Sequence, residues 1–353
     1  MTLVTRTTNP DDDYYWIRYR SVISKILLTT SFPASRVPKL PGMWFGSART
    51  LAVAGVLAST GGAVVGARSL LTGQAEQARG IIPKAWDIPP RADGVYTPGG
   101  GPVRRWERGV EVGLHLMVFG DSTAAGYGCR NGEEVPGAVV ARGLTETTGR
   151  PIRLSTKAIV GATSKGLASQ VDAMLVAGPP PDAAIIMIGA NDVTTLNGIG
   201  PSAKRLGAAV LRLQAGGTTV VVGTCPDFGW ITAIPQPLRW TARSIGLRLA
   251  RAQAAETRAA GGVAVPLAAL LTPHFLTDPE RLFSEDHYHP SADGYALAAG
   301  QLLAALCATL GEPMPESACA PSVHAEGTAI ARLNTLLRRR GIRVPAPAVA
   351  AAS

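Results

Sequence analysis

The chain is poor in the residues that mark several classes of protein. Cysteine occurs four times in 353 residues, too few for a disulfide-stapled mini-protein. No two cysteines have the C-x-x-C spacing of a structural zinc site. Charged residues make up only 17%, against 46% hydrophobic, which excludes wholesale disorder and leaves ample material for a packed core. No tetratricopeptide, ankyrin or propeller period repeats along it. Neither a P-loop nor the dinucleotide glycine pattern follows an apolar run, which argues against a nucleotide binder. The length admits one large domain or two small ones. The net charge is +9, yet it does not mark a nucleic-acid reader. Residues 1–113 carry 14 Lys+Arg against 8 Asp+Glu, residues 114–310 carry 15 against 14, and residues 311–353 carry 5 against 3. A nucleic-acid surface places its basic excess on the folded domain, whereas here it lies in the flanks, so no nucleic-acid partner is expected.

Residues 1–49 show no clear amphipathic period and mix an acidic run, Asp11 to Asp13, with aromatic and basic residues. Thr50–Ala67 then runs for 18 residues without a charge, between Arg49 and Arg68. As a helix it would span ~27 Å, close to the ~30 Å hydrocarbon core of a bilayer. A buried Gly/Ala-rich core helix is the alternative, but nothing upstream resembles a domain able to bury it. Residues 50–68 are therefore expected to be a signal anchor or transmembrane helix, with the rest membrane-anchored or exported and the region that follows extracytoplasmic. Read from Met43, the segment MWFGSART is a short basic n-region before an apolar h-region, and no A-x-A site follows closely, which favours an uncleaved anchor. Residues 69–113 read as a linker, punctuated by Pro83, Pro89, Pro90, Pro98 and Pro102 and by the Gly99–Gly101 patch. Residues 311–353 form a basic, Pro/Ala-rich tail. Its Ile330, Leu333, Leu336 and Leu337 precede three arginines and suit a surface-docked helix or one lying on anionic lipid.

From Leu114 short apolar runs alternate with helical patterns. The runs are Leu114–Gly120, Ile152–Ile159, Ala183–Gly189, Thr218–Thr224 and Gly262–Leu267. Helical patterns lie near 134–149, 164–177, 201–215, 237–260 and 291–310. Five strand–helix units imply an α/β fold, a parallel five-stranded sheet covered on both faces, with a site at the carboxyl ends of the strands.

The polar motifs fall at those ends. Gly120-Asp121-Ser122 closes the first run, and a serine at a strand end opening towards a helix is poised as a nucleophile. Gly161 follows the second run and Gly189-Ala190-Asn191-Asp192 ends the third. An N–H from Gly161 and the Asn191 side chain suit an oxyanion, although an ordinary turn and a helix cap explain them equally well. Far downstream stands Asp286-His287-Tyr288-His289-Pro290. One turn brings Asp286 against His289, which fixes the ring tautomer. His287 is a rival base whose position next to Asp286 points it elsewhere.

Taken in this order, the four segments resemble the SGNH hydrolases, the family of GDSL esterases and lipases, over roughly residues 114–310. The first block reads Gly-Asp-Ser-Thr instead of Gly-Asp-Ser-Leu, and Lys157 and Ala158 stand where the family has an Asn before its oxyanion glycine. The segments Thr224–Asp227 and Gln236–Trp240 look like those of exported actinobacterial members. The resemblance implies a three-layer α/β/α, flavodoxin-like sandwich and a catalytic triad of Ser122, His289 and Asp286. It implies an oxyanion hole of the Ser122 N–H, the Gly161 N–H and the Asn191 side chain, and an ester substrate with no metal or organic cofactor. Acyl transfer to an envelope glycan or lipid, or non-catalytic binding of either, are the competing readings. Tyr127, Phe228, Trp230 and Trp240 are candidate walls of an acyl groove or simple core residues. Cys129, Cys225, Cys307 and Cys319 allow three pairings or buried free thiols.

Overall fold

The computed structural model describes residues 69–78 and 88–313, together with Gly66. Residues 1–49, nearly all of 50–68, and the tail beyond Pro313 lie outside the described residues, so the anchor and tail readings do too. Six strands form one sheet in the order β1-β3-β2-β4-β5-β6. They are β1 (Gly94–Tyr96), β2 (Leu114–Gly120), β3 (Ile152–Thr156), β4 (Ala183–Met187), β5 (Thr219–Gly223) and β6 (Val263–Val265).

Alternation along each strand sorts side chains to two cores. Leu116 and Val118 of β2, Ile185 and Met187 of β4, and Val221 of β5 face one way. Met117, Phe119, Ala184, Ile186, Val220 and Val222 face the other. Every residue of β2 and β4 is buried, as expected of strands covered on both sides, which read as continuous apolar runs. The first core is closed by helices α2 (Pro136–Thr148), α7 (Leu267–Thr277) and α9 (Ala292–Leu310). The second is closed by α3 (Leu167–Ala177) and α5 (Ile199–Ala215). Beside α5, helix α6 (Leu238–Ala259) packs towards β6. Short helices α1 (Ser122–Ala125), α4 (Ala190–Thr194) and α8 (Pro279–Leu282) lie between the larger elements.

The sheet differs from the expected five parallel strands. It has a sixth, β1, antiparallel to β3, drawn from the segment whose composition reads as a linker. Three residues between prolines and glycines carry no strand period. They pair because Val95 and Arg104 exchange backbone hydrogen bonds of 2.7 and 3.1 Å, folding the glycine-rich patch into a turn. The architecture is therefore a three-layer α/β/α sandwich around a mixed, mostly parallel sheet. The pattern also missed α7, whose run is interrupted by Pro273. Helix α9 is long and apolar enough to cross a membrane by length and composition, but it packs on β5 and α2 as a layer of the sandwich.

Candidate active site

The site grows from the end of β2. Gly120 has φ +139°, and a Cβ there would stand 1.9 Å from the Met187 carbonyl oxygen, so no other residue fits. The chain then turns at Asp121, whose N–H donates to Met187 at 3.1 Å. Asp121 accepts the Thr123 N–H at 3.0 Å and the Gly189 N–H at 3.3 Å, capping α1 and tying it to the end of β4. Burial pushes its carboxyl up to about 6 despite those bonds. Its ionisation between about pH 4 and 6 therefore subtracts from stability. Ser122 is the first residue of α1, where the N–H groups have no intrahelical acceptor.

The other half of the site comes from the loop between α8 and α9. The His289 ring holds Ser122 Oγ at 3.1 Å through Nε2 and Asp286 Oδ2 at 2.6 Å through Nδ1. The second oxygen of Asp286 accepts the Ser284 hydroxyl and the N–H groups of Tyr288 and His289, at 2.7, 2.9 and 2.8 Å. Burial alone would raise the Asp286 carboxyl, but hydrogen bonds from His289 and Ser284 outweigh it and hold it at about 2. Tyr127 and Tyr288 flank the imidazole, with centroids 4.5 and 4.9 Å away. His287 is exposed, at φ +51°, on the other side of the loop's turn.

The structure thus brings Ser122, His289 and Asp286 into one hydrogen-bonded line. Gly161 lies in an exposed turn at φ +78° with open space above it. The Asn191 side chain donates to the Ala162 carbonyl at 3.0 Å, joining it to the Gly161 turn. Asp192 fixes the same region, accepting Ser164 N–H and Oγ at 2.8 and 2.7 Å and Ser202 Oγ at 2.9 Å.

Two buried glutamines escaped the sequence reading. Gln170 accepts the Gly120 N–H at 2.9 Å and donates to its carbonyl at 2.8 Å. Gln253 accepts the Cys225 N–H at 2.7 Å and donates to the Ile188 carbonyl at 2.8 Å. Each breaks an apolar stripe: Gln170 sits with Leu167, Val171 and Met174 on α3, and Gln253 with Leu249 and Ala250 on α6. A polar residue on a core-facing helix stripe was the available signal.

Against Ser122 and His289 lies an apolar cavity enclosing about 50 Å³, lined by Met187, Phe228, Trp230, Leu267 and Phe275 among others. Of the four candidate walls, Phe228 and Trp230 line it, Tyr127 packs on His289, and Trp240 points outward, 67% exposed. Cys129, Cys225 and Cys307 are free thiols; Cys319 is outside the described residues. Burial pushes Cys129 up to about 12.

Residues 118–297 match the GDSL-like Lipase/Acylhydrolase family. The GDSL-like esterase Rv1075c of Mycobacterium tuberculosis is 67% identical over 264 residues, spanning 75% of this chain and 84% of that protein. The chain belongs to the GDSL-like lipase/acylhydrolase family. Among solved structures, LAE5, an alpha/beta hydrolase enzyme from the metagenome of Lake Arreo, is 20% identical with a TM-score of 0.45, covering 56% of this chain and 96% of that one. The acetylxylan esterase Axe2 of Geobacillus stearothermophilus is 22% identical with a TM-score of 0.44, covering 54% and 93%. As a GDSL-family member the chain is a serine-type carboxylic ester hydrolase, and Ser122, His289 and Asp286 are its candidate triad.

A carboxyl held at about 2, below the ordinary 3.8, adds about 2 kcal/mol to stability above pH 4, a term lost as the pH falls through 2. Urea unfolding of wild type and Asp286→Asn should differ most above pH 4. The difference should shrink by about 2 kcal/mol towards pH 2; a gap independent of pH would contradict this environment for Asp286.

Proposed function

We propose that Ser122 is the nucleophile, His289 its general base, and Asp286 the group that orients His289 and stabilises its charged form. The observation that supports this is the line of 2.6 and 3.1 Å contacts from Asp286 through His289 to Ser122. Ser122 Oγ attacks the ester carbonyl carbon while His289 Nε2 takes the hydroxyl proton. The developing oxyanion is held by the N–H groups of Ser122 and Gly161 and by the Asn191 side chain, whose second N–H remains after its bond to Ala162. His289 then protonates the leaving alcohol, and the acyl-enzyme forms. Water, losing a proton to His289, attacks the acyl carbon; the acyl C–Oγ bond then breaks, His289 returns that proton to Ser122 Oγ, and the acid leaves.

The acyl group of the substrate is short and apolar in this reading. The cavity beside Ser122 encloses about 50 Å³, room for a few water-sized groups. Trp230 bounds it, stacked on Phe275 at 4.0 Å with its indole N–H on Thr272 at 3.2 Å, which leaves the wall little freedom to yield. On 4-nitrophenyl acetate, butyrate and octanoate, activity should fall with chain length. Ser122→Ala should lose at least about 10³-fold on all three. Trp230→Leu should raise the octanoate-to-acetate ratio of kcat/KM about tenfold. Activity surviving in Ser122→Ala would refute the site, and an unchanged ratio would refute the acyl pocket alone.

We also place the catalytic domain outside the cytoplasm, tethered by residues 50–68. What supports this is the uncharged 18-residue stretch between Arg49 and Arg68. The full chain should sediment with membranes and resist alkaline carbonate, whereas a chain starting at residue 69 should be released; equal behaviour would exclude the tether.

A further inference from the structure

The ladder between β4 and β5 does not simply end at the site. An inserted amide opens it. Ala183 lies opposite Thr219 and Met187 opposite Gly223, and the Thr219 N–H donates to the Asp182 carbonyl. A parallel ladder repeats every two residues, so the rung after Met187–Gly223 would carry the Cys225 N–H to the Ile188 carbonyl. These are the two groups that Gln253 separates. Its Oε1 accepts the Cys225 N–H at 2.7 Å, and its Nε2 donates to the Ile188 carbonyl at 2.8 Å. The side-chain amide occupies the rung as an extra peptide unit would. Strands sit about 4.8 Å apart, so an added amide spreads these two ends by a comparable amount.

The spread falls where function needs it. Met187 and Ile188 on one bank, and Gly223, Thr224 and Pro226 on the other, line the cavity beside Ser122. From Ile188 the chain passes through Gly189 into α4, which carries Asn191. A Cβ on Gly189 would meet Gln253 Nε2 at 2.8 Å, so the amide touches the backbone that launches Asn191. Gln253 is 1% exposed and does not line the cavity.

We propose that Gln253 is a positioning residue for ester hydrolysis: its amide holds the β4 and β5 ends one rung apart and so fixes the bank bearing Asn191 relative to Ser122. This rests on the oxyanion role given above to Asn191. Gln253→Ala removes the spacer and lets Cys225 bond directly to Ile188. Its kcat on 4-nitrophenyl acetate should fall about 10–100-fold, with KM changed less than about threefold, because a displaced oxyanion donor acts in the transition state. Gln253→Glu supplies a conditional rescue. A neutral carboxyl accepts from Cys225 and donates its O–H to Ile188, whereas a carboxylate only accepts. Asp121, Asp192 and Asp227 all act electrostatically on Cys225 and oppose ionisation of a carboxyl beside it.

The ratio of kcat for Gln253→Glu to that of wild type should therefore rise about tenfold or more from pH 8.5 to pH 5.5, while the alanine ratio stays flat. Thermal melts at each pH confine the comparison to folded protein. Wild-type kcat in both variants, a loss confined to KM, or a glutamate ratio independent of pH would overturn the proposal. If Gln253→Ala does not fold, the glutamate ratio decides. A glutamate variant that folds at no pH would also overturn it, since the neutral carboxyl is claimed to replace the amide. Activity retained by Ser122→Ala would instead refute the reading on which the proposal rests.

Discussion

Gly120 stands against the Met187 carbonyl with no space for a side chain, and the site hangs from that contact. It lets β2 lie tight against β4 up to its last residue and then turn sharply, so that Asp121 reaches back to the Gly189 N–H and Ser122 opens a helix into the crevice. The buried glutamines extend the same logic. Gly120 lies two residues beyond Val118, whose partner Thr156 is the last residue of β3. The chain beyond β3 still reaches Gly120, the Ile159 N–H donating to its carbonyl at 3.1 Å, while Gln170 accepts its N–H at 2.9 Å. Buried backbone groups at a sheet end must find partners, and here side-chain amides provide them without closing the cleft.

Two carboxylates near Ser122 are treated in opposite ways. Asp121, completely enclosed, is raised to about 6, while Asp286 is held at about 2 by the groups that surround it. Asp286 is therefore ionised wherever His289 needs a partner, and its bond to Nδ1 leaves Nε2 directed at Ser122. Asp121 contributes shape: it joins the nucleophile turn to the strand end that leads to Asn191. Chemistry and scaffold are thus divided between two acids of the same type by burial and hydrogen bonding alone.

Much of this was legible in the sequence. The runs at 114–120, 152–159, 183–189, 218–224 and 262–267 all contain strands; β2 and β4, buried on both faces, are the clearest because such strands read as continuous apolar runs. The helical patterns near 134–149, 164–177, 201–215, 237–260 and 291–310 all contain helices. Ser122, Asp286 and His289 stood out because a nucleophile turn and an Asp-x-x-His spacing are local patterns. What stayed hidden depends on distant contacts. Strand β1 has three residues and forms only by pairing with β3 and Arg104. Helix α7 contains Pro273, which obscures its period. Gln170 and Gln253 look like surface residues until the helices are placed. That Asn191 bonds to Ala162 depends on the approach of α4 to a turn 29 residues away.

In this reading the strand ends place the Ser122 hydroxyl, its imidazole partner and the oxyanion donors around one reacting carbon. A crystal structure of the full chain after reaction with an alkyl fluorophosphonate tests it most directly. Phosphorus should be bonded to Ser122 Oγ, its alkyl group in the cavity beside Trp230, and its phosphoryl oxygen about 3 Å from the Ser122 N–H, the Gly161 N–H and Asn191 Nδ2. An adduct on another residue, or an oxygen turned away from Gly161 and Asn191, would contradict it.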